Sequence, residues 1–417
     1  MTLAGVALTV LVTCSSAFAQ GKPASARPLF DVMPVAAWRV VGGSATFELV
    51  APTDEVHGST LHGPTLHGPT LHGPTLHGPS LHGPSLHGPT LYGRGPIDRN
   101  GFFTSPRELG DFRLSVDVRL GSDATPDGAG MNSGIQIRSV ERDGTVAGLQ
   151  IEIDPSPRRW SGGVYDERGR GWLASLAGND AAMAAFRPGA WNRYEIECIG
   201  PRIRTRVNGV ACAEWFDATV SGVLAFQVHS GKACDVAFRA PVLEELGTHA
   251  WRNQSLAAAV SPAEAQSGTR PGDGSIDASI NASVNTPINP ASWSCTIPTG
   301  ARGVRIDGAR GVRNVELFAR DGTLLTCVAV GVHDAKAAAV SSASPDQRHL
   351  EPPRVIEVLW LEESGAVLVD GARVARLTLA AVPDRLTLSG AEVSLGAQAV
   401  LAPVVHIHTG GDVVDER

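Results

Sequence analysis

Residues 132–154 of this 417-residue chain read NSGIQIRSVERDGTVAGLQIEID. Both ends of the stretch alternate apolar and polar side chains with a period of two, which is typical of strands with one buried face. The pattern predicts that the isoleucines and the leucine face a core. The opposite face then carries Gln136, Arg138, Gln150, Glu152 and Asp154. Amide, guanidinium and carboxylate groups gathered on one sheet face suit a polyhydroxylated ligand, so we take this face as the candidate site.

A later stretch repeats the alternation. Leu224, Phe226 and Val228 are predicted to point inward, and Gln227 and His229 outward. If this strand neighbours the first two, its polar side chains extend the same face.

A glycine-rich segment, residues 160–172, follows the central stretch and contains several aromatic and charged residues. Loops of this composition often reach over a binding groove. Tyr165 and Trp172 are therefore further candidates for contact with a ligand.

The overall composition excludes some classes of partner. A net charge of −7 and a pI near 6.0 give no basic footprint for nucleic acid. Residues 1–19 resemble an export signal, with an apolar run followed by Ala17-Phe18-Ala19. No other apolar run approaches the roughly 20 residues of a membrane helix. We expect an exported protein, periplasmic or extracellular, without a membrane span.

Residues 57–92 form a low-complexity repeat of Leu-His-Gly-Pro-Thr or Leu-His-Gly-Pro-Ser units. The regularly spaced histidines invite a metal-binding interpretation. Each unit also contains Gly and Pro, which disfavour helix and interior strand, so a flexible or polyproline-like loop is the favoured interpretation.

The pattern along the chain predicts two β-rich units. The first, residues 20–247, contains a dense series of strand patterns. Residues 248–290 lose periodicity and are rich in Ala, Ser, Asn, Pro and Gly, which indicates a linker. Residues 291–417 then form a second, smaller β-rich domain whose role the sequence leaves open.

Several motifs occur in the order and spacing of a known family. They are Trp38-Arg39-Val40, Gly110-Asp111-Phe112, residues 132–139, residues 148–152, Gly189-Ala190-Trp191-Asn192, Val207-Asn208-Gly209-Val210 and residues 227–231. On these motifs residues 27–247 resemble the 3-keto-disaccharide hydrolase family. Two departures are visible. Ala240 follows Phe238-Arg239 where the family usually has Asn, and the repeat replaces a short loop.

The resemblance implies an all-β fold, a concanavalin A-like jelly-roll sandwich, and cleavage of glycosidic bonds in 3-keto sugars. The implied ligand is an oxidised, 3-keto di- or oligosaccharide or glycoside. The ketone acidifies the proton on C2, so a base can remove it, and the substituent on C1 then leaves by β-elimination before water adds.

This chemistry needs a base and a group that stabilises the enolate oxygen. His229 is a candidate base because its unperturbed pKa lies near 6.5. Glu152 and Asp154 are alternatives, and a divalent cation bound there is an open possibility for a cofactor. Gln136, Arg138, Gln150, Tyr165, Trp172 and Gln227 are the candidates for substrate binding. The alternative function is a non-catalytic carbohydrate-binding module with the same polar face.

Overall fold

The computed structural model describes residues 25–52, 88–121, 131–231, 235–253, 258–260, 292–330, 354–394 and 398–401. The predicted export signal and the repeat units up to residue 87 lie outside these ranges, so both interpretations stay predictions. In the part of the chain that is described, no helix has the length and apolar character needed to cross a membrane.

The described part of the first unit consists mainly of strands. Its strands are β1 (Arg27–Pro28), β2 (Arg39–Gly42), β3 (Thr46–Val50), β4 (Thr90–Arg94), β5 (Gly101–Leu109), β6 (Asp111–Leu120), β7 (Ser133–Arg142), β8 (Thr145–Ile153), β9 (Val164–Glu167), β10 (Gly171–Ala174), β11 (Asn192–Ile199), β12 (Arg202–Val207), β13 (Val210–Phe216), β14 (Gly222–Val228) and β15 (Val236–Gly247). Its helical segments are α1 (Leu29–Val32), a 3-10 turn (Val35–Ala37) and α2 (Asp180–Met183).

Two antiparallel sheets form a sandwich, which confirms the predicted all-β jelly roll. The back sheet has the order β13-β12-β11-β6-β15-β4-β3, with β1 paired to β15. The front sheet has the order β10-β9-β8-β7-β14-β5-β2. Strands β7, β8 and β14, which carry the predicted polar face, are consecutive neighbours at the centre of the front sheet.

The core between the sheets follows the predicted alternation. Ile135, Ile151 and Phe226 are fully buried in it. Trp38, just ahead of β2, stacks on Phe103 and Phe226 at centroid distances of 5.2 and 5.9 Å. Because these residues occupy the inner face, their neighbours in sequence must occupy the outer face of the front sheet.

The predicted position of Arg138 is wrong. The β7–β8 register shifts between Ile137 and Val140, and Arg138 adopts a positive φ of 48°. This bulge turns the guanidinium away from the polar face, as bulges commonly re-aim a side chain. Arg138 is 1% exposed and donates to the carbonyls of Gly110, Gly200 and Thr219 and to the carboxylate of Asp111.

The second unit is a ten-stranded sheet that begins earlier than the predicted boundary. Its strands are β16 (Trp251–Asn253), β17 (Ala258–Val260), β18 (Ser292–Thr296), β19 (Gly303–Phe318), β20 (Leu324–Ala329), β21 (Arg354–Leu361), β22 (Ser364–Val369), β23 (Ala372–Thr378), β24 (Arg385–Ser394) and β25 (Gln398–Leu401). Because β16 and β17 pair within this sheet, residues 251–253 and 258–260 belong to the second unit rather than to a linker. Strand β4 likewise takes residues 90–92 out of the predicted repeat loop.

Replacing Arg138 by Met should destabilise the protein by about 3–5 kcal/mol, because the buried carboxylate of Asp111 would lose its cationic partner. The measurement is chemical unfolding at neutral pH. Arg113 is the matched control, since it pairs with Glu197 and Glu244 on the surface with half its side chain exposed. Arg113→Met should cost less than about 1 kcal/mol. Equal effects of the two substitutions would contradict the structural role of Arg138.

Replacing Ala240 by Gly should stabilise the protein by about 1 kcal/mol, because Ala240 has a φ of 45°, where a Cβ is strained. Asn tolerates this conformation better than Ala does, which accounts for the Asn that the family usually has at this position. Ala211, on the exposed face of β13, is the control. Ala211→Gly should instead lower the melting temperature, and a loss of stability in Ala240→Gly would rule out strain at residue 240.

Candidate functional site

The front sheet curls over its outer face. Asn100, immediately ahead of β5, donates from Nδ2 to Oε1 of Glu167 on β9 at 3.4 Å. Three strands lie between β5 and β9 in the sheet order. A flat sheet would separate them by about 19 Å at roughly 4.8 Å per strand. The outer face is therefore folded into a cleft, which we call the front cleft.

Amide side chains connect the interior of the front cleft. Gln136 donates to Gln150 at 2.6 Å, and Gln150 donates to Glu152 at 3.0 Å. The hydroxyl of Ser139 donates to Oε1 of Gln136 at 2.7 Å. Glycine is required at position 134 beside these hydrogen-bonded side chains, because a Cβ there would lie 2.3 Å from the amide carbon of Gln150. All four polar side chains are almost fully buried, so the network holds Glu152 in one orientation.

Glu152 is the most perturbed carboxyl group of the front cleft. Burial raises its pKa from 4.5 to about 7, and the negative charges of Asp154 and Glu167 act in the same direction. Hydrogen bonds from Gln150 and Asn132 oppose the shift. A carboxyl group with a pKa near neutral can both hold and release a proton at working pH.

Three buried polar groups in the front cleft have unused hydrogen-bonding capacity. Among the described residues, both amide atoms of Gln227, Oδ1 of Asn132 and Oγ1 of Thr104 lack a hydrogen-bond partner. Gln227 and Thr104 are fully buried. Buried groups without partners are costly, and they occur most often where a ligand or ordered water completes them.

The half-buried edge of the cleft brings His229 and Glu167 together. The Nδ1 atom of His229 lies 2.8 Å from the carbonyl oxygen of Ser230. A carbonyl only accepts, so Nδ1 carries the hydrogen and Nε2 carries the lone pair. Burial raises the pKa of Glu167, whereas the nearby charge of His229 and a hydrogen bond from Asn100 lower it. Asn100 also accepts from the backbone N–H of Ser230 at 2.9 Å.

An aromatic cluster forms another part of the edge. Trp172 packs edge-on against Trp160 and Tyr165 at centroid distances of 4.7 and 5.3 Å. The guanidinium of Arg158 lies over both tryptophan rings, and Asp154 holds Arg158 at 3.1 Å. Because Asp154 is 1% exposed and also accepts from the backbone of residue 156, its carboxylate positions this loop and is not available to act as a base.

The structure brings most of the predicted site residues together. The front cleft contains Gln136, Gln150, Glu152, Tyr165, Trp172, Gln227 and His229. Arg138 lies elsewhere, and Asp154 holds the aromatic loop. The sequence analysis did not identify four further residues of the front cleft: Glu167, Asn100, Asn132 and Thr104. The alternation of Tyr165 and Glu167 along β9 was the one signal that could have found Glu167.

The described residues contain no group of three or more His, Cys, Asp or Glu side chains arranged to hold a metal ion. The histidines of the repeat units up to residue 87 lie outside the described residues.

Replacing Glu152 by Gln should remove a pH dependence of stability. Below pH 4.5 both folded and unfolded states of the wild type hold the proton. Between pH 4.5 and about 7 only the folded state keeps it, so the wild type loses stability as pH rises; above 7 the difference is constant. The free energy of unfolding of the wild type should therefore fall by about 3 kcal/mol relative to that of Glu152→Gln across this pH range.

The comparison must be made as a difference between the two proteins, because burial also raises the pKa of Glu357 to about 7 in both. Unfolding in denaturant at pH 4, 6 and 8 measures it. Parallel pH curves would show that Glu152 keeps an ordinary pKa.

Comparisons with known proteins were made with solved structures, curated proteins and family models. Similar solved structures include the carbohydrate-binding module CBM66 from Bacillus subtilis, with 14% identity over 37% of this chain and 86% of that chain and a TM-score of 0.30. A putative glycosyl hydrolase from Parabacteroides distasonis shares 17% identity over 38% of this chain and 87% of its own, with a TM-score of 0.27. We draw no conclusion from scores this low. A search of curated proteins gave no match.

The model of the 3-keto-alpha-glucoside-1,2-lyase-like domain matches residues 27–243, slightly more than half of the chain. The match covers both sheets of the sandwich and every residue of the front cleft described above. The sequence motifs, the sandwich and the front cleft thus agree with one another, and the chain belongs to the 3-keto-alpha-glucoside-1,2-lyase-like family.

Proposed function

We propose that the front cleft cleaves glycosidic bonds of 3-keto-glucosides by β-elimination. A base removes the proton on C2, the electron pair passes to the ketone oxygen as an enolate, and the C1–O bond then breaks. The leaving oxygen takes up a proton, and an unsaturated keto sugar remains. Addition of water across its new double bond gives net hydrolysis.

The observation that carries this proposal is the arrangement of His229. Its Nδ1–H is held by the Ser230 carbonyl, which leaves the Nε2 lone pair to accept the C2 proton. The carboxylate of Glu167 stabilises the imidazolium that forms, because it interacts electrostatically with His229. A base oriented by a backbone carbonyl and supported by a carboxylate is suited to proton abstraction near neutral pH.

Glu152 supplies the complementary acid. With a pKa of about 7 it holds its proton through the lower part of the physiological range. A protonated Glu152 donates to the oxygen that leaves C1 or to the enolate oxygen, and the amide chain from Gln136 through Gln150 keeps it in place. None of these steps is assigned to a cation.

Sugar recognition uses the remaining groups. The unpartnered atoms of Gln227 and Asn132 supply donors and acceptors for hydroxyl groups. The half-buried rings of Tyr165 and Trp172 supply the apolar surface on which a sugar ring packs. The ligand is then a 3-keto di- or oligosaccharide or glycoside, and we propose that the protein meets it after export.

The aromatic cluster of Trp160, Tyr165 and Trp172 also favours a second candidate, a carbohydrate-binding module without catalysis. Such a module would bind parent glycosides as well as keto sugars and would release no product. Incubation with a 3-keto-glucoside, with the released sugar quantified, separates the two candidates.

His229→Ala should lower cleavage of a 3-keto-glucoside by about 10²–10⁴-fold, the usual scale for the loss of a positioned base. The variant should still unfold at the wild-type temperature and bind the unoxidised glycoside, because His229 is half-buried at the cleft edge. Turnover within a factor of two of the wild type would remove His229 from the mechanism. Binding without turnover in the wild type would favour the binding module.

A further inference from the structure

The second unit shares a hydrophobic core with the first. Leu359, Leu361, Ala366 and Leu368 of β21 and β22 are buried in the same cluster as the sandwich core. These side chains would expose a contiguous apolar surface if the two units separated, and burial of such area is the main favourable term in association. The units are therefore held in one arrangement rather than joined only by a connecting segment.

Polar contacts surround this shared core. Arg202 on β12 pairs with Glu362 at 2.8 Å, and Trp251 donates to the carbonyl of Ala218 at 2.8 Å. The guanidinium of Arg373 on β23 lies 4.7 Å from the centre of the Trp215 ring. All three contacts join the second unit to the region of β12, β13 and the turn that follows.

Arg170 connects the second unit to the front cleft. It lies in the turn between β9 and β10, the hairpin that carries Tyr165, Glu167 and Trp172. Its guanidinium pairs with Asp166 at 2.6 Å and with Asp217 at 2.8 Å, and it donates to the carbonyl of Gly371 at 3.3 Å.

The close approach of Arg170 to residue 371 requires a glycine there. Its φ is 76°, and a Cβ at this position would lie 3.0 Å from Cδ and 3.2 Å from Nη1 of Arg170. Asp217 is in turn fixed by Trp215, which donates from its indole nitrogen at 3.0 Å, and by the backbone N–H of Thr219. Arg170 is thus held on both sides by rigid groups, one of which belongs to the second unit.

We infer that Arg170 is a positioning residue through which the second unit sets the place of the β9–β10 hairpin in the front cleft. The expected effect on kinetics rests on the proposed function. The expected effect on the position of the hairpin does not. Among the described strands, the hairpin is the edge of the front sheet and pairs with β8 on one side, so no strand holds its other side. A shift of about 1 Å in the hairpin moves Glu167 relative to His229, and misplacements of this size cost up to about 10²-fold in rate.

The test compares Arg170→Gln with Arg373→Gln in the full-length protein. Both substitutions remove an arginine that crosses the contact between the units, but only Arg170 belongs to the hairpin. Hydrogen exchange in residues 164–174 should be about tenfold faster in Arg170→Gln and unchanged in Arg373→Gln, because exchange reports local opening. Arg170→Lys, which keeps the charge, should restore part of the protection.

The kinetic arm uses the 3-keto-glucoside assay. Arg170→Gln should lower kcat/KM by about tenfold, with kcat reduced because Glu167 moves relative to His229 and KM raised because Tyr165 and Trp172 lose their position. Arg373→Gln should leave both constants near the wild type even if its melting temperature falls equally. Unchanged hairpin exchange in Arg170→Gln would overturn the inference. A wild type without turnover would refute the proposed function alone, since the exchange result decides the role of Arg170 without a substrate.

Discussion

A buried guanidinium must find an oxygen for nearly every N–H group, and in this protein that requirement falls on Arg138. It is met by three backbone carbonyls and by Asp111, whose second oxygen lies 2.7 Å from Nδ1 of His249. The carbonyls belong to turns that precede β6, β12 and β14. One side chain of the front sheet thereby fixes the turns at one end of the sandwich, including the one that leads into the His229 strand.

The front cleft depends on this fixed end and on the curl of the sheet. Curling removes water from the outer face, and burial then raises the pKa of Glu152 while neighbouring amides hold its orientation. The same curl brings β9 over β5, so Glu167 reaches the side of the cleft where Asn100 and His229 lie. A polar sheet face that would be solvated if flat thereby becomes a cleft in which a few fixed groups surround a carboxyl group of raised pKa.

The sequence was sufficient to predict which side chains face the core wherever the strands alternate with a period of two. The faces of Ile135, Ile151 and Phe226, and with them the positions of Gln136 and Gln227, follow from alternation alone. Alternation fails at a bulge, because the extra residue inverts the faces that follow it. Nothing local marks that bulge, since the carbonyls that receive Arg138 lie 28, 62 and 81 residues away in the chain.

The missed residues have a related explanation. The pairing of Glu167 with Asn100 spans 67 residues and three intervening strands, so no pattern in either segment reveals it. The resemblance to a family located the cleft but did not show which carboxylate would be buried. Nor did composition show that residues 251–253 and 258–260 belong to the second unit's sheet, because such short strands look like a linker.

The β3–β4 ladder separates the repeat from the cleft. Five residue pairs join the two strands, from Thr46 opposite Arg94 to Val50 opposite Thr90, and the carbonyl of Pro89 accepts from Ala240 just beyond them. The segment that contains the repeat joins the ladder after Val50 and before Thr90, whereas Ile97, which pairs with Gly231, lies beyond the other end. Each doubling of a closed loop costs only about 0.6 kcal/mol. A change in chain length between Val50 and Thr90 is therefore expected to cost little free energy of folding and to leave the other end of the ladder, where Thr46 pairs with Arg94, in place.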